Sequence, residues 1–155
     1  MSTLDLELHD YRRWKHENVG KRFSLFDYVY GVLRTKEISA DLLVGVADLL
    51  RPDFVVEQGS VFLRSEFDNA VVGQLRSQAG RPQDVELWAN MFCVDGIFHQ
   101  LKDSSKAAVE FLAVRIRDSW AAKLRLDFPE RTFEVSVYRD NDVGDVCVSF
   151  YEQHG

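Results

Sequence analysis

Residues 133–138 and 146–151 alternate apolar and polar side chains with a strict period of two, which is the pattern of strands with one buried face. The Asp, Asn and Gly residues between the two segments are typical of a hairpin turn. One face of the predicted hairpin is apolar throughout: Phe133, Val135, Val137, Val146, Val148 and Phe150. Because such a face must be covered by another element, the pattern predicts an antiparallel sheet with a helix packed on it.

A long helix is predicted immediately before this hairpin. It begins at Ser104 or Ser105 and ends before Pro129. Apolar residues recur every three or four positions and form one stripe along it, as in a helix that packs by one face. The stripe consists of Val109, Leu112, Ile116, Trp120 and Leu124. We therefore expect this helix to cover the hairpin and to form the main core with it.

Three further helices are predicted before Pro52. The first reaches Asn18, and the second begins at Ser24, whose partner Asp27 three residues later gives the pattern of a capping box. The third begins at Ser39 and ends at Pro52, because the residue before a proline avoids the α region.

After Pro52 the period returns to two. Phe54–Glu57 and Val61–Arg64 flank Gly59, whose freedom to take positive φ suits a hairpin turn. A helix is predicted from about Asp68, with Gly80 and Pro82 as its end signals, and residues 84–94 alternate again as in a strand.

The resulting order of elements is α-α-α-β-β-α-β-α-β-β. It predicts a single α+β domain over residues 1–155, with a helical part over 1–51 and a mixed part over 52–155. The strands are expected to form one mainly antiparallel sheet of about five strands packed with helices.

Composition and charge narrow the classes of protein. The 155 residues are 46% hydrophobic and 28% charged, as in an ordinary globular chain, and the net charge is −6. A net anion is a poor default binder of nucleic acid or of an anionic membrane. No apolar run approaches the ~20 residues needed to cross a bilayer, and the first residues do not resemble a signal peptide. These observations predict a cytoplasmic protein without a membrane partner.

The two cysteines, Cys93 and Cys147, lie far apart and form no CxxC motif. In a chain long enough to build its own core, two isolated cysteines favour free, buried thiols in a reducing compartment. Asp95 and His99 lie close to Cys93, but no catalytic pattern accompanies them. The four histidines have no metal-ligand spacing, and no glycine-rich nucleotide motif is present. We expect no catalytic residue, no metal and no cofactor.

A basic segment in the first helix, Arg12, Arg13 and Lys15 around Trp14, has the composition of a nucleic-acid patch. The overall acidity of the chain favours the other interpretation, a solvated helix face with Trp14 tucked under its neighbours.

The loop of the second hairpin concentrates three carboxylates, Asp140, Asp142 and Asp145. It does not fit the ligand spacing of an EF-hand calcium loop. Asp and Asn also suit a hairpin turn, so the prediction is an acidic tip that is either solvated or docked on a basic partner.

The second faces of the predicted strands carry aromatic side chains beside polar ones. Such a face is either covered by the N-terminal helices or is a binding surface; the first explanation is favoured because aromatic residues are mostly core. The residues of this predicted aromatic face are Trp88, Phe92, Tyr138 and Tyr151, with Asn90, Glu134, Ser136 and Ser149.

These observations predict a non-enzymatic cytoplasmic module that binds another protein. An inhibitor or immunity-type protein for a basic partner is one role that fits the acidic charge, by analogy alone. The residues expected to bind the partner are Asp140, Asp142, Asp145, Trp88, Tyr138 and Tyr151. Two alternatives stay open at this point. One is a small-molecule binder or enzyme with a pocket around Trp88, Asn90, Tyr138 and Tyr151, and the other is a nucleic-acid adaptor that uses the basic first helix.

Overall fold

A computed structural model describes residues 8–36, 38–98, 105–139 and 145–154 of the protein. These residues form an α+β fold with seven helices and two small antiparallel sheets. The helices are α1 (His9–Glu17), α2 (Leu25–Thr35), α3 (Ala40–Leu50), α4 (Asn69–Gln78), α5 (Pro82–Ala89), α6 (Asp95–Phe98) and α7 (Lys106–Asp127). The strands are β1 (Phe54–Glu57), β2 (Ser60–Leu63), β3 (Phe92–Cys93), β4 (Phe133–Arg139) and β5 (Val146–Glu152).

The chain divides into two compact units, residues 1–45 and residues 46–155. The expectation of a single domain over the whole length stays a prediction. No membrane-spanning helix, by length and apolar character, is found among the described residues.

Aromatic contacts join α1 to α2 and to Phe23 just before it. The Trp14 ring stacks on Phe23 with ring centroids 5.1 Å apart and meets the edge of Tyr28 at 5.6 Å. The predicted capping box is confirmed, since the Ser24 backbone N–H donates to Asp27 Oδ2 at 2.7 Å and Asp27 N–H donates to Ser24 Oγ. These bonds from Ser24 hold the pKa of Asp27 below its ordinary value.

The main core of the second unit is the predicted one. The α7 stripe packs on one face of the β4–β5 hairpin, and the Trp120 ring stands edge-on to Phe150 with centroids 6.1 Å apart. The Trp120 Nε1–H group donates to the carbonyl of Leu49 at 2.8 Å, which satisfies the only polar atom of that buried side chain.

The prediction of one sheet of about five strands is wrong. β1 and β2 form a two-stranded sheet, and the other sheet has three strands in the order β3-β5-β4. The cause lies in residues 84–94, which form most of α5 and the short β3 instead of one strand. Pro82 begins α5 rather than ending α4, because its fixed φ suits the first helical turn and its missing N–H is not needed there.

Two side chains of α5 take the place of the missing strand. Glu86 and Asn90, one turn apart and both buried, hydrogen-bond the backbone of β2 on one side and of β5 on the other. Glu86 accepts from the N–H groups of Val61 (2.9 Å) and Glu152 (2.7 Å). Asn90 accepts from Leu63 N–H (2.9 Å) and donates to the carbonyls of Val61 (3.0 Å) and Phe150 (3.3 Å). We call this pair the α5 clamp.

The prediction of two free thiols is also wrong, because Cys93 and Cys147 form a disulfide. The two residues lie directly opposite each other on β3 and β5, with Cα atoms 4.0 Å apart. The sequence pattern placed Cys93 on the core face by continuing a strand from residue 84. Since residues 82–89 are helical, that phase does not continue into β3, and Cys93 is exposed instead.

The α5 clamp predicts that Glu86→Gln lowers stability far more than an ordinary surface change. The glutamine amide has one acceptor oxygen, so it can accept from only one of the two backbone N–H groups that Glu86 binds. Its NH₂ group would face the other N–H, which loses its hydrogen-bond partner. We expect a loss of about 1–3 kcal/mol in the free energy of unfolding, measured by urea denaturation. The matched control is Glu66→Gln, at an exposed position. Equal stability of the two variants would show that the clamp contributes nothing.

Candidate functional site

The structure describes four of the six residues that were predicted to bind a partner. Asp140 and Asp142 lie outside the described residues, and Asp145 is half-buried just before β5. Trp88 lies on α5, whereas Tyr138 and Tyr151 lie on β4 and β5. The described members therefore occupy one helix and one hairpin instead of a single sheet face.

Tyr138 and Tyr151 do lie on the face of the hairpin opposite the core. In the register of the sheet, Tyr151 is opposite Glu134 and Tyr138 is opposite Cys147. The Glu134 carboxylate accepts hydrogen bonds from Ser136 Oγ (2.7 Å) and from the Gln153 amide (3.0 Å). Burial, followed by the neighbouring Tyr151 and Glu134, raises the pKa of Tyr138 above its usual value, so its phenol is a neutral donor at physiological pH.

The larger aromatic face expected from the sequence does not form. Phe92 points into the core, where its ring lies 6.4 Å from that of Trp120. Asn90 belongs to the α5 clamp, and Trp88 projects from α5. The hydroxyl of Ser149 is covered by the same helix and donates to the carbonyl of Leu87 at 2.6 Å. Of the four aromatic residues that were expected on this face, Tyr138 and Tyr151 lie there, and α5 covers the neighbouring Ser149.

Trp88 borders an open cavity of about 450 Å³ between α4 and α5. The side chain is 62% exposed. The remaining lining residues are Leu75, Gln78, Ala79, Gly80 and Asp84.

A second open cavity, of about 300 Å³, shares Ala79 and Gly80 with the first and contains the guanidinium groups of Arg76 and Arg81. Both cations are already paired, Arg76 with Glu57 at 2.5 Å and Arg81 with Asp84 at 2.8 Å. The hydrogen bonds that Arg81 donates to Asp84 raise the pKa of Arg81 above its ordinary value. The cavities have the size of small-molecule sites, but neither is lined by Asn90, Tyr138 or Tyr151, as the pocket hypothesis required.

The basic segment of α1 is engaged in contacts within its own unit. Arg13 pairs with Asp10, and the Lys15 ammonium lies 5.8 Å from the centroid of the Tyr11 ring. Trp14 is stacked against Phe23 and therefore does not present a free ring for a nucleic-acid base.

A stripe of apolar side chains on α2 is the feature that sequence reasoning missed. Phe26 is 84% exposed, Tyr30 is 63% exposed and Val29 is 46% exposed. Residues three and four positions apart share one face of a helix, so the three side chains form a single stripe, the α2 stripe. The exposure of Leu42, Leu43 and Val44 on α3 shows the same tendency.

The sequence contains a signal for this surface. α2 carries apolar residues around most of its circumference, more than one buried stripe can use: Leu25, Phe26, Tyr28, Val29, Tyr30, Val32 and Leu33. A helix that is apolar on two faces needs a second surface to cover it.

No group of three or more potential metal-ligating side chains occurs among the residues that the structure describes. The chain matches no protein-family model, no curated protein and no solved structure.

An ion pair fixes the start of the β4–β5 hairpin against the β1–β2 turn. The Arg131 guanidinium pairs with the Glu152 carboxylate, and it also donates to the carbonyl of Gly59 at 2.6 Å. The hydrogen bonds from Arg131 hold the pKa of Glu152 below its ordinary value.

This lowered pKa predicts a loss of stability in acid. The folded state holds the Glu152 proton less tightly than the unfolded chain, so the stabilisation is complete above the unfolded pKa, near 4.5, and is lost as the pH falls through the folded value. We expect Glu152→Gln to be less stable than the parent at pH 7, with the difference shrinking as the pH falls below about 4.5. Chemical denaturation across this pH range measures it, with Glu130→Gln at an exposed position as control. A constant difference at every pH would contradict the assignment.

Proposed function

We propose that the protein is a non-enzymatic module that binds another protein. The observation that carries this proposal is the α2 stripe, whose most exposed member, Phe26, is 84% exposed. Exposed apolar side chains grouped on one face mark interaction surfaces, because leaving them in water is unfavourable. Aromatic side chains such as Phe26 and Tyr30 are also the residues that most often anchor an interface.

The basic character of the proposed partner is supported by the distribution of charge. Residues 46–155 contain 18 acidic and 12 basic side chains, whereas residues 1–45 contain seven of each. The entire acid excess therefore belongs to the second unit, which carries Asp140, Asp142 and Asp145. This excess of acidic side chains favours an inhibitor or immunity-type role toward a basic protein. In that role, Trp88, Tyr138 and Tyr151 are further contact residues.

A small-molecule site is the second candidate function. The cavity of about 450 Å³ beside Trp88 favours it, since an exposed indole next to Leu75 offers a flat apolar wall for a ligand. The paired state of the neighbouring guanidinium groups argues against an anionic ligand there.

The cytoplasmic location expected from the sequence is also a proposal. The disulfide is the observation that weighs against it, because disulfides persist in oxidising compartments and are reduced in the cytosol. A cytoplasmic chain would carry Cys93 and Cys147 as thiols.

The role of the α2 stripe is tested by capturing partners from an extract of the native source on the immobilised protein. A double variant, Phe26→Ser with Tyr30→Ser, is expected to bind the captured partner about tenfold more weakly or worse, since two aromatic anchors are lost. The control is Leu126→Ser on α7, where the side chain is 65% exposed. All three proteins should have the same circular dichroism spectrum. A partner that the double variant and the control bind equally well would refute the stripe as the binding surface.

The role of the acidic tip is tested by the salt dependence of the association rate once that partner is purified. Replacing Asp140, Asp142 and Asp145 by Asn keeps residues that suit the turn but removes three charges. We expect a slower association at low salt and a weaker salt dependence, because the screening length falls from ~10 Å at 0.1 M salt to ~3 Å at 1 M.

A control for this experiment removes the same number of charges at exposed positions of the same unit, with Asp53→Asn, Glu66→Gln and Glu130→Gln. Only the tip variant should slow association strongly. Identical rates for the tip variant and the parent at low salt would show that the tip is merely a solvated turn.

A further inference from the structure

β4 is a seven-residue strand, and among the strands that the structure describes it pairs with β5 alone. The N–H of Gln153 donates to the carbonyl of Thr132, and hydrogen-bonded positions alternate along an antiparallel ladder. The main-chain groups of Glu134, Ser136 and Tyr138 therefore point toward β5. Those of Val135 and Val137 point the other way, and no hydrogen bond to them comes from any residue that the structure describes.

The other strand edges in the described part of the chain are protected. Arg64 and Arg76 donate to main-chain carbonyls of β1. The α5 clamp of Glu86 and Asn90 pairs the free edge of β2. β3 is only two residues long, too short to offer a ladder.

β4 lacks three of the features by which proteins block a free edge. It contains no proline and no lysine, and its register with β5 runs without a bulge from Phe133 to Arg139. Its inward side chains, Val135 and Val137, pack against the core but are only half-buried, so apolar surface remains beside the open edge.

We propose that β4 pairs antiparallel with β4 of a second copy of this chain, so that the two three-stranded sheets join into one sheet of six strands. A two-fold axis through Ser136 generates this arrangement with a single register. Val135 then lies opposite Val137 of the second copy, and their outward N–H and C=O groups bond to each other. The half-buried valines of the two copies extend both cores across the junction.

Charge supports the antiparallel orientation. It places Glu134 opposite Tyr138 of the second copy, so that a carboxylate meets a neutral phenol that can donate to it. A parallel arrangement in register would instead place the two Glu134 carboxylates side by side, which is unfavourable.

The position of the two-fold axis makes Ser136 the residue that tests the proposal. Ser136 would face its own copy at a close, non-hydrogen-bonded position, so Ser136→Lys and Ser136→Glu each bring like charges together. We expect the parent to show a concentration-dependent dimer by analytical ultracentrifugation. Each variant alone should dimerise about tenfold more weakly or worse, whereas an equimolar mixture of the two should recover the dimer, because unlike charges now meet.

Three further measurements keep the test decisive. Ser77→Lys introduces the same charge at an exposed position of α4 and should dimerise like the parent. If either charged variant fails to fold, Ser136→Cys is expected to form a covalent dimer through the new cysteine under mild oxidation. Hydrogen exchange should show slower exchange of the Val135 and Val137 amides as the parent concentration rises.

Three results would overturn the proposal. The parent could remain monomeric from micromolar to millimolar concentration, or it could form a dimer that Ser136→Lys leaves unchanged. The β4 amides could also become protected only when an extended peptide of another protein is added, which would make that peptide the occupant of the edge.

Discussion

The architecture of the second unit depends on two buried polar side chains one turn apart on α5. Glu86 and Asn90 together satisfy five main-chain groups of β2 and β5, which is the work that a central strand would otherwise do. A buried polar network is favourable only when all of its members are paired. The clamp meets that condition, because every buried side-chain polar atom of the described residues has a partner. It therefore joins two sheets without merging them.

The position of α5 decides which surfaces remain available. Its inward face covers Ser149 and the β5 side of the hairpin. Two of the four aromatic residues expected on that face, Tyr138 and Tyr151, therefore remain there. Its outward face presents Trp88 beside α4 and creates the open cavity there. β4 lies at the end of the order β3-β5-β4, so one of its edges is not paired with any strand that the structure describes. One helix thus accounts for the cavity and for the reduced aromatic face.

The sequence predicted an element correctly where its apolar residues follow one period over a long segment. It misled where the same residues fit two periods. The hairpin of β4 and β5 and the stripe of α7 were predictable because seven or more residues repeat one pattern and each supplies the apolar face that the other needs. Residues 84–94 alternate like a strand, but four of them also recur at helical spacing: Val85, Glu86, Ala89 and Asn90. The alternation concealed a helix because some of its buried residues are polar. The outward orientation of Tyr138 and Tyr151 followed from the hairpin pattern. The disulfide depends on a pairing between β3 and β5 that no local sequence pattern contains. The exposure of the α2 stripe depends on which apolar residues of that helix are buried by tertiary packing.

The proposed binding role assigns a different contribution to each unit. The acid excess of residues 46–155 would act over a Debye length, so it would raise the rate at which a basic partner arrives and do little to hold it. The α2 stripe would act only on contact, and apolar anchors of this kind mainly slow dissociation. A partner with both a basic surface and an apolar groove would gain from each effect separately. Charge changes in the second unit should then alter association rates, while changes in the α2 stripe should alter residence times.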